Sequence, residues 1–493
     1  MGALDIFAIT LYGAIVLFVG WRAAGPRGAP ATPDNWLVAD RDLPTWAVLA
    51  SMVATELSAA TFVGVPHAAY TGDWSYLQLA FGALLGKLVL AARVIPLYHR
   101  LGITTVYGFL QDRFGPATRK SAALCFVAGR SLASGARLFI AALAFSAATG
   151  GSIETAIAAS ALVAGVYTGR GGLRAVVWTD ALQAGVFLGA AAVALWVLDA
   201  QVTGGLAAAF DWANEEGRSR IFHLDPLFSL GSGSALGSAL VAGFFLTLAT
   251  HSTDHDMVQR LLAARDGRRG GRALWISALI NFPMTLLFLS IGTALAYHHI
   301  QAPPLYDIGD ARQVLPLFAL HELPSGLRGL VFAGLFAAAM SSLDSAICAI
   351  GATWVSDIAP GPTSAARLRR ISAVTCVALA AAALGMSSYQ EAMQTRGVSL
   401  PSLVEFALSA MSVLYGGLLG LFAAGFAREP RADENRDRRG QIGLALGAAI
   451  GLGFFLEPLL TDSASLAWGY RIPVAAAFSF AVALFGVRRR QSA

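Results

Sequence analysis

Long, almost uncharged apolar stretches constrain this chain more than any other feature of its sequence. The longest of them cover 155–169, 181–198, 326–356, 371–386 and 440–457. A helix needs about 20 apolar residues to cross a bilayer, and inside lipid every backbone polar group must be satisfied by the chain itself. The stretches are rich in Ala, Leu and Gly and lack the alternation of barrel strands, so they predict transmembrane helices.

The composition excludes a set of soluble domains. Apolar residues make up 56% of the 493 residues and charged residues only 13%, against about 25% in soluble domains. The net charge of +5 comes from arginines between the apolar stretches. Membrane topology accounts for these arginines, and we expect a lipid bilayer, not nucleic acid, as the partner.

Several function classes lack their sequence signals. A pump driven by ATP needs a phosphate-binding loop such as GxxxxGK[ST], which is absent from the sequence. The three cysteines, Cys125, Cys348 and Cys376, lie in apolar stretches without metal or disulfide spacing. No nucleophile–base pair is apparent, so we expect a carrier and not an enzyme.

The apolar pattern predicts thirteen spans and hence an all-α, polytopic membrane protein. The first stretch is interpreted as a span because no basic leader and no small-residue cleavage site accompany it. The predicted spans are 4–22, 45–71, 76–98, 118–148, 152–168, 173–198, 236–263, 272–298, 326–357, 367–388, 400–426, 440–458 and 470–488.

Arginines fall on alternate connections, and this pattern predicts the orientation. The arginine-rich connections lie around 22–41, 100–120, 170–174, 260–272, 367–370 and 428–439, and the tail adds 488–490. The other connections are longer, more acidic and poor in arginine. The positive-inside rule therefore predicts an outside N-terminus and a cytoplasmic C-terminus in the cell membrane.

Polar residues interrupt the second predicted span at its middle. They are Thr55, Glu56, Ser58 and Thr61, with Gly64 and Pro66 following. Glycine and proline can break a helix and release carbonyl groups, as in the broken helices of secondary carriers. The alternative is a proline kink whose hydroxyls bond their own helix.

The ninth predicted span carries Ser341, Ser342, Asp344 and Ser345 among alanines. Hydroxyls beside free carbonyls form a compact oxygen site that suits a dehydrated monovalent cation better than a transition metal. The alternative is hydroxyl bonding between helices, although an intramembrane carboxylate is costly and usually functional. Asp180, near the cytoplasmic end of the sixth span, could pair with an arginine or complete a cation site.

Two arginines, Arg130 and Arg137, lie seven residues apart and so on one face of the fourth span. Buried guanidinium groups require partners. Either the intramembrane acids Glu56, Asp180, Asp344 and Glu405 neutralise them, or one arginine is left for a carboxylate-bearing solute.

Four motifs resemble the sodium/solute symporter family: ATELSAATFVGVP, GGLRAVVWTD, TDHDMVQRLLAAR and AAAMSSLDS. The resemblance implies a single transporter domain over 1–493 with a leucine-transporter-like core. Its inverted five-helix repeats would be 45–198 and 236–426, preceded by the extra span 4–22 and followed by two spans in 440–488.

The resemblance also implies a set of ion ligands. The main sodium site would use the carbonyl groups of Ala54, Leu57 and Ala338 and the hydroxyls of Ser341 and Ser342. A second sodium site would use Asp180, Ser341 and Ser345, with Asp344 where the family has a serine. That carboxylate could strengthen a sodium site, make it proton-sensitive, or pair with an arginine.

The solute is expected near the midplane, between spans two, three, four, seven and eleven. Candidate contacts are Glu56, Ser58, Thr61, Gln78, Arg137 and His251. The seventh span has no glycine or proline near its middle, so any break there would depend on polar side chains. The TDHD cluster at its end is interpreted as a network with Arg260 and not as a metal site.

The function that the resemblance implies is sodium-coupled symport of a small organic solute by alternating access, in a monomer or weak oligomer. Proton coupling on the same fold is the nearest alternative, because of Asp344 and Glu56. A transporter-like sensor and a channel are the remaining alternatives, and both lack a supporting motif.

Overall fold

The computed structural model describes residues 1–23, 37–168, 172–361, 364–427, 435–461 and 463–485. Within these ranges the protein is almost entirely helical, and the only β pairing is an isolated bridge between Leu43 and Ala264. Each of the thirteen predicted spans corresponds to a helix or a broken helix. The all-α fold is therefore confirmed.

We number the spans α1 to α13, and two of them are divided into halves, a and b. Their bounds are α1 Ala3–Ala23, α2a Thr45–Glu56, α2b Ala59–Thr71, α3 Gln78–Val89, α4 Pro116–Thr149, α5 Ile153–Thr168, α6 Gly172–Gln201, α7a Leu236–Thr253, α7b His255–Leu262, α8 Gly267–Gln301, α9 Leu327–Thr353, α10 Ala365–Thr395, α11 Leu403–Ala427, α12 Arg436–Thr461 and α13 Trp468–Phe485.

Length and hydropathy identify eleven of the described helices as able to cross a membrane, and the bent pair α2a–α2b makes twelve. The predicted span 152–168 forms α5, whose 16 residues rise only about 24 Å at 1.5 Å per residue. The end of the predicted span 470–488 lies outside the described residues.

The span predicted over 236–263 is divided by a break, which the sequence left open. It breaks at Asp254, where the backbone is extended (φ −87°, ψ 115°) and the carboxylate accepts a hydrogen bond from the amide of Asp256 at 2.9 Å. Tyr98 and Tyr107 donate to the carbonyl groups of Ser252 and Thr253 at the end of α7a. Polar side chains thus stabilise a break without glycine or proline.

The centre of the bundle is α9, almost all of whose residues are buried. It packs against α6, α4 and α1. By contrast, α1 exposes Phe7, Phe18 and Trp21 at the periphery, where lipid would surround them.

Close backbone contacts join four of the spans. A Cβ atom on Gly82 of α3 would lie 2.3 Å from the carbonyl oxygen of Leu240 of α7a, and one on Gly243 would lie 2.2 Å from that of Leu79. Gly292 of α8 similarly contacts α2b. Such small residues allow helices in membranes to approach closely.

Candidate functional site

The second span breaks at Leu57 and Ser58, which have extended backbone, and its halves are bent by 58°. In a continuous helix the amide of Ser58 would donate to the carbonyl of Ala54. It donates instead to the hydroxyl of Thr61 at 3.4 Å, at the start of α2b. The carbonyl of Ala54 is therefore released from the helix.

The predicted cause of this break is wrong. Gly64 and Pro66 both lie inside the intact helix α2b, six or more residues after the break. Gly64 instead allows α11 to approach, because a Cβ there would lie 2.7 Å from Val404. The hydroxyl of Thr61, which accepts the amide of Ser58, is the feature that accompanies the break.

The oxygen atoms predicted for the main sodium site lie together across the break. The hydroxyl of Ser341 lies 3.2 Å from the carbonyl oxygens of both Ala54 and Ala338, and that of Ser342 lies 3.4 Å from the carbonyl oxygen of Ala338. Leu57 lines the same narrow gap between α2 and α9. All five residues are buried, and the cluster consists of neutral oxygens.

The residues predicted for a second sodium site are bonded to an arginine. The carboxylate of Asp180 accepts hydrogen bonds from Ser51 at 2.6 Å and from Arg260 at 3.1 Å. The same guanidinium nitrogen of Arg260 donates to the hydroxyl of Ser345. The positive charge of Arg260 therefore lies between two of the four residues predicted for a second sodium site.

Asp344 is fully buried on α9. It lies on the helix that packs against α1, α6 and α10. Arg260 pairs with Asp180 and Asp256.

Arg130 is neutralised by acids that the sequence analysis did not consider as its partners. Its guanidinium pairs with Asp254 at 3.2 Å and also with Asp256, and all three side chains are fully buried. Asp256 bonds Arg260 as well, at 2.6 Å. The interpretation of the TDHD cluster as a network with Arg260 agrees with these contacts.

Arg137 has no acidic partner among the described residues. Its side chain is buried, one guanidinium nitrogen contacts the sulfur of Met411 at 3.5 Å, and another is buried without a hydrogen-bond partner. The guanidinium faces a cavity of about 150 Å³ between α2, α3, α7, α8 and α11. Of the two buried arginines on α4, Arg130 is thus neutralised and Arg137 is not.

The central cavity also contains an internal ion pair. The ammonium of Lys87 on α3 lies 2.6 Å from the carboxylate of Glu56, next to the hydroxyl of Ser277 at 2.9 Å. His251 lies 3.2 Å from the same carboxylate. Sequence reasoning missed Lys87, although a lone lysine within the apolar run FGALLGKLVL was a signal for it.

Four of the six predicted solute contacts line this cavity. They are Glu56, Thr61, Arg137 and His251. Ser58 does not line the cavity but lies at the break in α2. Gln78 is placed elsewhere: its amide group donates to the carbonyl of Ser234 at 2.7 Å and accepts the amide of His223 at 3.3 Å, which fixes an interhelical connection.

Two broken spans, a neutral oxygen cluster beside one break and an adjoining buried cavity define the class as a secondary transporter. A family model then gives the particular family, since it matches residues 36–424 as the sodium:solute symporter family. The chain belongs to that family. It is a multi-pass membrane protein that couples solute transport to sodium, and it is not an enzyme.

The individual relatives share less than a third of their residues with this chain. The sodium/sialic acid symporter NanT of Aliivibrio fischeri is 27% identical over 444 residues, which cover 88% of this chain and 85% of NanT. The sodium/sialic acid symporter SiaT of Proteus mirabilis is 29% identical over 329 residues, 66% of each chain. The human sodium/iodide cotransporter is 27% identical over 475 residues, which cover 93% of this chain and 71% of the cotransporter.

Solved structures share the fold. The substrate-bound, outward-open state of a Na⁺-coupled sialic acid symporter matches with a TM-score of 0.82 at 23% identity, covering 98% of this chain and 97% of that one. The nucleobase-cation-symport-1 family transporter Mhp1 matches with a TM-score of 0.56 at 15% identity, covering 93% of this chain and 96% of that one. These likenesses confirm the predicted transporter fold. Sodium as the coupling ion is confirmed by the match to the sodium:solute symporter family.

Proposed function

We propose that this symporter carries a small, carboxylate-bearing organic solute into the cell together with one sodium ion. The observation that carries the proposal is the guanidinium of Arg137 at the central cavity, which has no acidic partner among the described residues. A buried charge without a partner is costly, and a guanidinium binds a carboxylate through two parallel hydrogen bonds. A carboxylate is therefore the group that this cavity is best suited to accept.

The other charges of the cavity do not compete for an anionic solute. Lys87 and Glu56 already form an ion pair, and the remaining polar contacts available to the solute are uncharged groups such as Thr61, Thr250 and Asn281. Two relatives are sodium/sialic acid symporters by name, and sialic acids are sugars that carry a carboxylate.

Sodium would be held by Ala54, Leu57, Ala338, Ser341 and Ser342. Because these oxygens belong to two different spans, a bound ion would hold α2 and α9 together. It would thereby favour the conformation in which the solute cavity is complete. Coupling then follows because sodium binds more tightly to the state that binds solute. The guanidinium of Arg260, bonded to Asp180 and Ser345, argues for a single ion per cycle.

The arginine-rich connections support an outside N-terminus and a cytoplasmic C-terminus in the cell membrane. We propose that the symporter works as a monomer or a weak oligomer.

The test is uptake into proteoliposomes under an inward sodium gradient. N-acetylneuraminate and pyruvate would be compared with glucose, which carries no charge. We expect uptake of a carboxylate that Arg137→Gln abolishes and Arg137→Lys retains with a raised KM. Arg100→Gln, which removes an exposed arginine away from the cavity, should transport normally.

Two outcomes would contradict the proposal. One is wild-type uptake of a carboxylate by Arg137→Gln, and the other is sodium-driven uptake of neutral solutes only. A sodium-to-solute flux ratio of two, measured from the reversal potential, would overturn the single-ion stoichiometry and leave the carboxylate assignment standing. Each variant should keep its sodium-dependent rise in melting temperature, which shows that the ion site is intact.

A further inference from the structure

A second large cavity lies away from the central one, at the ends of α10, α11, α12 and α13. Its volume is about 460 Å³, and its lining includes Tyr389, Glu405, Phe455, Trp468 and Arg471. It lies at the same end of the bundle as the connections 396–402 and 463–467, which the proposed orientation places outside. None of its residues takes part in the proposed ion or solute sites.

The guanidinium of Arg471 is the unusual feature of this outer cavity. The side chain is only 5% exposed, and its Nε donates to the carbonyl of Leu466 at 3.2 Å. Its other two nitrogens have no hydrogen bond or ion pair with any described residue. A buried cation with unused donors in a cavity wall is suited to an anionic oxygen ligand.

One carboxylate, that of Glu405, lines the same cavity. One oxygen of Glu405 accepts from Ser402, at 3.3 Å from both its amide and its hydroxyl, and the other oxygen makes no hydrogen bond with a described residue. Glu457 of α12 precedes the lining residue Pro458 in the chain, and one of its carboxylate oxygens is buried without a hydrogen-bond partner among the described residues. Neither acid lies within 4 Å of Arg471, so the opposite charges are close but do not neutralise each other directly.

Aromatic rings complete the wall. Tyr389 stacks on Phe455 with ring centroids 4.8 Å apart, and Trp468 and Phe406 line the same space. Aromatic faces attract ammonium groups and accept apolar groups. The cavity therefore offers a cation for an oxyanion, a carboxylate and rings for an ammonium group, and apolar surface for the rest of a ligand.

We propose that this outer cavity is a second binding site, for a zwitterion that carries an oxyanion and an ammonium group a few ångströms apart. The oxyanion binds Arg471, and the ammonium group lies between Glu405 and the aromatic rings. A free amino acid and the headgroup of phosphatidylethanolamine share this chemistry. Binding here reaches the first turn of α11, whose Val404 contacts α2b at Gly64.

The test measures melting temperature in two arms. In detergent, L-phenylalanine and a mixture of the other amino acids at 10 mM are compared with 3-phenylpropionate and phenethylamine, which each lack one charge. In nanodiscs, phosphatidylethanolamine is compared with phosphatidylcholine, whose ammonium group cannot donate hydrogen bonds. We expect stabilisation in one arm, and the arm that responds identifies the source of the zwitterion.

The variants decide whether the outer cavity is responsible. Arg471→Gln and Glu405→Gln should each reduce the stabilisation at least fivefold in apparent affinity, whereas Arg137→Gln at the central cavity should not. Retention of the sodium-dependent rise in melting temperature shows that a variant is folded, and Arg471→Lys supplies a milder replacement. Stabilisation in neither arm, equal stabilisation by the singly charged analogues, or stabilisation that survives both substitutions would overturn the proposal.

Discussion

Two oxygen clusters lie about one helical turn apart on α9. They differ in whether a positively charged side chain of the protein is bonded to them. The cluster at Ser341 and Ser342 consists of hydroxyl and carbonyl oxygens. The cluster at Ser345 and Asp180 bonds the guanidinium of Arg260. A tethered guanidinium cannot leave during a transport cycle, so it can stabilise the fold without coupling anything to the sodium gradient. Neutral oxygens leave room for an ion that binds and dissociates.

Removing the tethered cation should have the largest effect. Arg260→Gln leaves Asp180 buried without its cation and leaves Asp256 with Arg130 alone. Loss of one partner of a buried pair costs about 3–5 kcal/mol. We expect a large fall in melting temperature, partly reversed by sodium, because the ion can then bind between Asp180 and Ser345.

The control is Arg265→Gln, which removes an exposed arginine five residues further along. The comparison between the two clusters would fail if both variants melted alike. Potassium or choline could raise the melting temperature of Arg260→Gln as much as sodium does. That result would show that the recovery is a general effect of ionic strength.

Removing one hydroxyl from each cluster should have a smaller effect, and it should affect a different property in each case. Ser342→Ala removes a proposed sodium ligand, and we expect about a tenfold loss of sodium affinity, or about 1.4 kcal/mol. Ser345→Ala removes a contact to Arg260 and should lower stability while leaving sodium affinity unchanged. Sodium affinity and stability are both measured from the sodium dependence of melting temperature and of uptake. Equal sodium affinities in the two variants would show that the two clusters form one sodium site.

The smallest effect is expected at Asp344. Asp344 is fully buried on α9 but is not one of the five proposed sodium ligands. We therefore expect Asp344→Asn to change sodium affinity less than threefold. Uptake by the wild type under a proton gradient without sodium, lost in Asp344→Asn, would instead assign coupling to this carboxylate.

The fold could be predicted from sequence because apolar length is a property of each segment by itself. Every predicted span corresponds to a helix for that reason. The sequence left a break in α7 open, since it depends on Asp254 capping α7b and on tyrosines from elsewhere in the chain. Interactions of that kind become visible only when the helices are assembled.

The candidate site was predictable to the extent that it rests on motifs. The oxygens around Ala54 and Ser341 were placed by resemblance, whereas the pairing of Arg130 with Asp254 joins residues 124 positions apart. The acids considered for Arg130 were those within apolar runs, and Asp254 and Asp256 were assigned to a helix end. Both acids are buried at the break, Asp254 as the cap of α7b and Asp256 in its first turn, and there they contact Arg130.

The glycine contacts between α3 and α7a have a mechanical consequence. The carbonyl groups of Leu240 and Leu79 lie so close to Gly82 and Gly243 that a side chain at either glycine would push α3 and α7a apart, and a side chain at Gly292 would do the same to α8 and α2b. We therefore expect each of these pairs to move as a unit during transport, with the change of shape at the breaks in α2 and α7.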